Sequence, residues 1–326
     1  MDILVTGGAG FIGSHLVERL IERGDRVTVI DNFNDFYDPA LKEENIKGFC
    51  KNPLFRLYRG DIRDASLIKR IFDKNPIDRV FHLAARAGVR PSIQEPILYE
   101  EVNCIGTLNL LEACRKNGIK HFIFGSSSSV YGINSKVPFS EDDSVNMPIS
   151  PYAATKRAGE LLCSTYSHLY GIPVTALRFF TVYGEKQRPE MAIRKFTNLI
   201  WEGKEVPVYG DGGSRRDYTY ISDIIQGLLA SMDLPDRVRQ SGKPFGFEII
   251  NLGESRTVEL KYLISLIENG LNKKAILKTL PVQPGDVPIT YADVSKAKRL
   301  LGYTPGVSIE EGVERFIRWF LKREKG

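Results

Sequence analysis

Apolar residues recur along this chain in two alternating patterns. Short, nearly continuous runs at Ile3 to Thr6, Val27 to Ile30, Phe55 to Arg59, Val80 to Leu83, Phe122 to Gly125 and Val174 to Phe179 read as strands buried on both faces. Between them the period lengthens. Ser14 to Arg23, for example, sets Leu16 and Leu20 on one helical stripe with Val17 and Ile21 beside it. Strands that alternate with helices predict an α/β fold, a Rossmann-type doubly wound parallel sheet. Two longer helices are predicted over Pro96 to Asn117 and Pro151 to Tyr170. Their apolar residues, Ile105, Leu108 and Leu111 on one and Leu161, Leu162, Tyr166 and Leu169 on the other, suffice for core packing plus a face for a partner.

Beyond about residue 180 the punctuation changes. Loops rich in Gly, Pro and charge, at Glu185 to Pro189, Gly210 to Gly213 and Pro281 to Pro288, bracket helices predicted over Ile193 to Glu202 and Thr257 to Leu271. Residues 1–180 are therefore read as the Rossmann domain, and 181–326 as mainly a smaller C-terminal substrate lobe. The division is not contiguous. Glu248 to Asn251 reads as a further strand, so segments near 215–232 and 246–252 are expected to complete the main domain.

Composition narrows the function. The chain has 326 residues, 42% of them hydrophobic, enough for a large core. Its net charge of +5 is scattered rather than blocked, which argues against nucleic acid or a membrane surface and suits a small anionic substrate. Cys50, Cys104, Cys114 and Cys163 lack paired spacing, and His15, His82, His121 and His168 lack ligand spacing. No disulfide framework and no metal site are predicted. With no charged, apolar leader before the first strand, the expected compartment is the cytoplasm.

The first strand runs into Gly7, Gly10 and Gly13, and these lead straight into the first helix. Such a turn brings backbone close to a pyrophosphate and aims free helix N–H groups at it. The second strand ends in Asp31, where an acid is expected to accept hydrogen bonds from an adenosine ribose and to repel a phosphate. Strand, turn, helix and acid fall in the order of a dinucleotide site, with NAD favoured over NADP. Downstream, Tyr152 and Lys156 lie four apart in a predicted helix, so both project from one face. A phenol with an ordinary pKa of about 10 is a poor base at neutral pH, and a nearby ammonium favours its ionised form. That pair, beside a nicotinamide, makes Tyr152 a usable base.

At this point the chain resembles the extended short-chain dehydrogenase/reductase family, and within it the nucleotide-sugar epimerases, in particular those acting on UDP-glucuronate. The matching pieces are Gly7 to Gly13, Asp31-Asn32, Gly60-Asp61-Ile62, His82 to Ala85, Ser126 to Gly132, Tyr152 to Lys156, Arg178 to Gly184, Arg188 to Met191, Arg216 to Tyr218 and Pro284 to Pro288. The resemblance spans essentially the whole length. It implies that Gly7, Gly10, Phe11, Ile12, Gly13, Asp31, Asn32, Asp61, Ile62, Leu83, Ala84, Ala85, Ser126, Tyr152 and Lys156 hold NAD. It makes Tyr152, Lys156 and Ser127 catalytic, with Ser127 sharing the sugar 4-hydroxyl.

Ser128, Thr181, Arg188, Arg216 and Asp286 are implied to bind the UDP-sugar, the two arginines at its diphosphate. The implied reaction inverts C4 through a 4-keto intermediate with internal hydride return, converting UDP-glucuronate to UDP-galacturonate. Thr181 stands where glucose-specific relatives usually carry Asn, and with Ser128 it would hold the uronate carboxylate. Ser128 and Ser129 stand where dehydratases usually carry Asp-Glu and decarboxylases a Glu. Two alternatives remain: a UDP-glucose 4-epimerase, and a non-catalytic dinucleotide-sensing module. The resemblance also implies a homodimer through the two long helices.

Overall fold

A computed structural model describes residues 1–242, 244–281 and 287–324. The chain begins with β1 (Asp2–Thr6), α1 (Phe11–Glu22), β2 (Arg26–Asp31), α2 (Pro39–Lys47), β3 (Phe55–Arg59), α3 (Ala65–Lys74) and β4 (Arg79–His82). There follow α4 (Val89–Gln94), α5 (Pro96–Glu100), a π-helical turn (Glu101–Ile105), α6 (Gly106–Asn117), β5 (His121–Ser127), a 3-10 turn (Ser128–Tyr131), α7 (Pro151–Tyr170) and β6 (Val174–Phe179). The remainder comprises β7 (Thr181–Tyr183), α8 (Ala192–Trp201), β8 (Glu205–Tyr209), β9 (Arg215–Arg216), β10 (Tyr218–Tyr220), α9 (Ile221–Met232) and α10 (Leu234–Gln240). It ends with β11 (Phe247–Leu252), β12 (Val258–Glu259), α11 (Leu260–Leu271), β13 (Ile276–Leu280), α12 (Ser295–Leu301) and α13 (Ile309–Glu324).

The six expected strands and the late strand near residue 250 form one seven-stranded parallel sheet, in the order β11-β6-β5-β4-β1-β2-β3. Chain order reverses between β1 and β4, and ligands of such sheets bind outside the carboxyl ends of the strands at this switch point. β5 is buried along its whole length, as its apolar start predicts, but its last two residues are serines. The sheet thus delivers Ser126 and Ser127 to its carboxyl edge. Outside the main sheet lie the short parallel pair β8 and β13 and the pairs β7–β10 and β9–β12, flanked by α8, α11 and α13.

Two helices differ from their expectation. The segment Pro96 to Asn117 is helical throughout but is broken by the π turn. The buried Asn103 in that turn accepts from Arg86 N and donates to Arg86 O and Thr155 Oγ1. From this π turn the amide joins two neighbouring segments, in line with the frequent use of such bulges to place a functional side chain. The helix expected from Thr257 begins only at Leu260, because Val258 and Glu259 pair with Arg216 and Arg215 as a short antiparallel ladder. By contrast α7 starts as its sequence dictates. Ser150 accepts a hydrogen bond from Ala153 N at 3.1 Å, Pro151 takes the first turn and Gly171 closes the helix at φ +66°.

Candidate active site

A cavity of about 350 Å³ opens at the switch point, and its wall combines the glycine turn with Ser127, Tyr152 and Lys156. The turn itself has almost no spare room. Gly7 lies at φ +70°, its N–H donates to Ile30 O at 2.8 Å, and Gly10 N donates to Gly7 O at 3.1 Å. A Cβ on Gly7 would lie 2.9 Å from the backbone of Ala84, and one on Gly13 would lie 2.2 Å from Gly7 O. Gly10 caps α1 without any side-chain hydrogen bond, which leaves the first N–H groups of the helix for an anion. The donor set and the tight approach fit a dinucleotide pyrophosphate.

Phe11, Ile12, Asp31, Asn32, Asp61, Ile62 and Leu83 to Ala85 also line the cavity. The Asp31 carboxylate accepts from Ala9 N at 3.2 Å and Phe33 N at 3.0 Å, and it pairs with Lys42 Nζ of α2 at 3.1 Å. Asn32 donates to Asp61 Oδ2 at 2.9 Å. Burial opposes ionisation of Asp61, but hydrogen bonds from Arg63 and Asn32 outweigh it and hold the carboxyl below its usual range.

At the catalytic end, Ser127 Oγ donates to Ser129 Oγ at 3.1 Å and accepts from Ser129 N at 3.2 Å. The Tyr152 ring meets Tyr99 edge-on, with centroids 6.2 Å apart. Burial raises the Tyr152 phenol, opposed by a hydrogen bond with Ser127 and by the charge of Arg188. Lys156 shares the cavity wall, but its ammonium donates to Gly125 O at 2.6 Å rather than to the phenol. Burial pushes this lysine down to about 8. The helix sets the face that Tyr152 and Lys156 share, and the β5 carbonyl takes a hydrogen bond from the amine.

Of the residues implied to hold the sugar nucleotide, Ser128, Thr181 and Arg188 line the cavity. Arg188 pairs with Glu190 at 3.1 Å and lies 5.5 Å from the Phe36 ring, and its charge acts on the Tyr152 phenol. Arg216, in β9, donates to Arg215 O at 3.0 Å and is not among the residues lining the cavity. Asp286 lies outside the described residues. Sequence reasoning missed the roof: Asn34, Phe36 and Tyr37, from the segment after β2, with Arg86 stacked 4.8 Å from Phe36. Only the three aromatics, Phe33, Phe36 and Tyr37, set among Asn and Asp hinted at it.

Among the described residues no group of three or more His, Cys, Asp or Glu could hold a metal ion, and no helix is long and apolar enough to cross a membrane. The sequence profile of the GDP-mannose 4,6 dehydratase family matches residues 4–316. A UDP-glucuronate 4-epimerase of Thermodesulfobacterium geofontis is 44% identical over 317 residues, covering 97% of this chain and 95% of that one. The crystal structure of UDP-glucuronic acid 4-epimerase from Bacillus cereus, with UDP-glucuronic acid and NAD, superposes with a TM-score of 0.90 at 39% identity, covering 99% of this chain and all of that one. UDP-glucose 4-epimerase from Thermotoga maritima, with UDP-glucose, gives 0.87 at 37% identity, covering 99% of this chain and 100% of that one.

Proposed function

The chain belongs to the GDP-mannose 4,6 dehydratase family of short-chain dehydrogenases/reductases, and from that premise we propose that it is an NAD-dependent UDP-glucuronate 4-epimerase. The observation that carries this reading is the meeting of Ser127, Tyr152 and Lys156 with the glycine turn in one cavity. Bound there, NAD supplies the reversible hydride acceptor that inversion at C4 needs, with no net redox change. Tyr152 takes the proton of the sugar 4-hydroxyl and later returns one, while Ser127 donates to and accepts from the same oxygen. Lys156 holds the nicotinamide ribose. The 4-keto sugar turns over in the pocket before it is reduced from its other face.

A 4-keto uronate is a β-keto acid, which loses carbon dioxide when its carboxylate bond aligns with the carbonyl π system. Ser128 and Thr181 are assigned to hold the carboxylate away from that alignment. Arg188 is assigned to negative charge at this end of the sugar nucleotide, a task suited to the guanidinium fork. Arg216 at the diphosphate, and Asp286, rest on the resemblance alone. Dehydration, the family's namesake chemistry, lacks its acids here, because Ser128 and Ser129 occupy their positions. A cytoplasmic setting suits four free cysteines, three of them buried.

Incubation with UDP-glucuronate should yield a product of equal mass and inverted C4, and a 4-deuterated substrate should keep its label. Loss of label to water or to added NAD would reject internal return. UDP-glucose run in parallel separates the neutral-hexose alternative. In the same assay Thr181→Val should cost the uronate about 1.5–3 kcal/mol, roughly 10- to 100-fold in kcat/KM, and leave UDP-glucose untouched. Equal effects on both sugars would remove the case for the carboxylate.

The homodimer is part of this proposal. Ile97 and Ile105, beside α6, are 75% and 49% exposed, and Leu161 and Leu169 on α7, which packs against these segments, are 52% and 60% exposed. A second copy would cover them with the same residues, as in a four-helix arrangement. Leu161→Glu should then weaken association at least 100-fold, because a charge left unpaired in a dry interface costs roughly 3 kcal/mol. Sedimentation equilibrium reads this directly, and a wild-type chain that sediments as a monomer would sink the dimer.

A further inference from the structure

The most deeply buried charges beside the cavity belong to none of the residues assigned above. Glu160 lies one turn beyond Lys156 and two beyond Tyr152 on α7, and its side chain is 0% exposed; its partner Arg178, in β6, is 1% exposed. Arg178 Nε donates to Oε1 at 2.8 Å and Nη2 to Oε2 at 2.9 Å. Oε1 also accepts from Ser126 Oγ at 2.7 Å, and Oε2 from Arg157 Nη1 at 3.0 Å. Arg178 pairs in register with Ser126 across β5 and β6, and its guanidinium lies 4.8 Å from the Tyr131 ring. Tyr131 ends the 3-10 turn that begins at Ser128.

One ion pair thus ties together the strand end before Ser127, the turn carrying Ser128, the helix carrying Tyr152 and Lys156, and the strand leading to Thr181. Buried pairs of this kind add little net stability, because desolvation offsets their attraction, and Arg178 Nη1 is left without a hydrogen bond. Stability alone does not account for it. We propose that Glu160 and Arg178 are positioning residues: their bidentate pair fixes the spacing between Ser127 and Tyr152.

The inference rests on the epimerase reading, so wild-type enzyme is the control. The test compares Glu160→Gln with the neutral double variant Glu160→Leu/Arg178→Met, which leaves no buried charge unpaired and is the form able to fold if the single variant is not. Both variants should lower kcat at least 10-fold, with KM for UDP-glucuronate within about 2-fold, because a changed spacing between Ser127 and Tyr152 harms the transition state more than binding. A folded double variant with unchanged kcat overturns the proposal, whatever its Tm. If wild type inverts no UDP-sugar, the epimerase reading fails by itself. The pair is then tested by the crystal structure of the double variant, where a Ser127 to Tyr152 spacing equal to that of wild type would overturn its role.

Discussion

Tyr152→Phe is expected to leave a folded protein that still binds NAD and UDP-glucuronate but inverts C4 about 1,000-fold more slowly. The change removes one oxygen. The ring keeps its edge-on contact with Tyr99, and α7 keeps its Ser150 cap, so neither packing nor helix start is disturbed. What goes is the group that takes the 4-hydroxyl proton, and a positioned general base contributes typically about 10²–10⁴-fold. Ser127 remains, and its hydroxyl, already bonded to Ser129, has too high a pKa to replace a phenol. Product analysis gives the rate, and thermal melting with NAD titration shows that the fold and cofactor site survive. A variant with wild-type turnover would remove Tyr152 from the chemistry and restore the view of the chain as a dinucleotide sensor.

The second large effect is expected at Gly13. A Cβ there would lie 2.2 Å from Gly7 O and 2.8 Å from Gly8 Cα, both backbone atoms of the turn that is assigned to the pyrophosphate. Neither can swing aside. Gly7 O also accepts from Gly10 N, so relief would have to open the turn itself. Gly13→Ala should therefore cost roughly 3 kcal/mol or more of strain, lower Tm by several degrees, and weaken NAD binding at least 100-fold. Gly10 is the internal control. A Cβ there would stand 3.2 Å from the same oxygen, so Gly10→Ala should be several-fold milder. Equal NAD affinities for Gly13→Ala and wild type, by titration calorimetry, would refute the steric account.

Lys156 and Asp31 show how differently the site could be read in advance. The face shared by Tyr152 and Lys156 follows from helical period, and both do line one cavity. The hydrogen bond from the ammonium to Gly125 O crosses 31 residues of chain, and no spacing rule reaches that far. Asp31 at the end of β2 was legible, whereas Lys42 beside it was not, because Lys42 lies in a helix whose docking depends on the first helix and the loop between. The resemblance implied Arg188 at the diphosphate, whereas only packing set its charge near the phenol.

By itself the sequence determined what depends on neighbours along the chain. It specified strands by their apolar runs, the glycine turn by residues that alone fit it, the start of α7 by Ser150 and Pro151, and a family by motifs spread over the full length. The tertiary structure decided which charges meet. The pairs Asp31 with Lys42 and Glu160 with Arg178, the roof of Phe36 and Tyr37, and the π turn that aims Asn103 each join segments apart in sequence. The reason is physical: backbone periodicity and capping act within a few residues, while the partner of a buried charge is whichever group the packed sheet and helices carry to it.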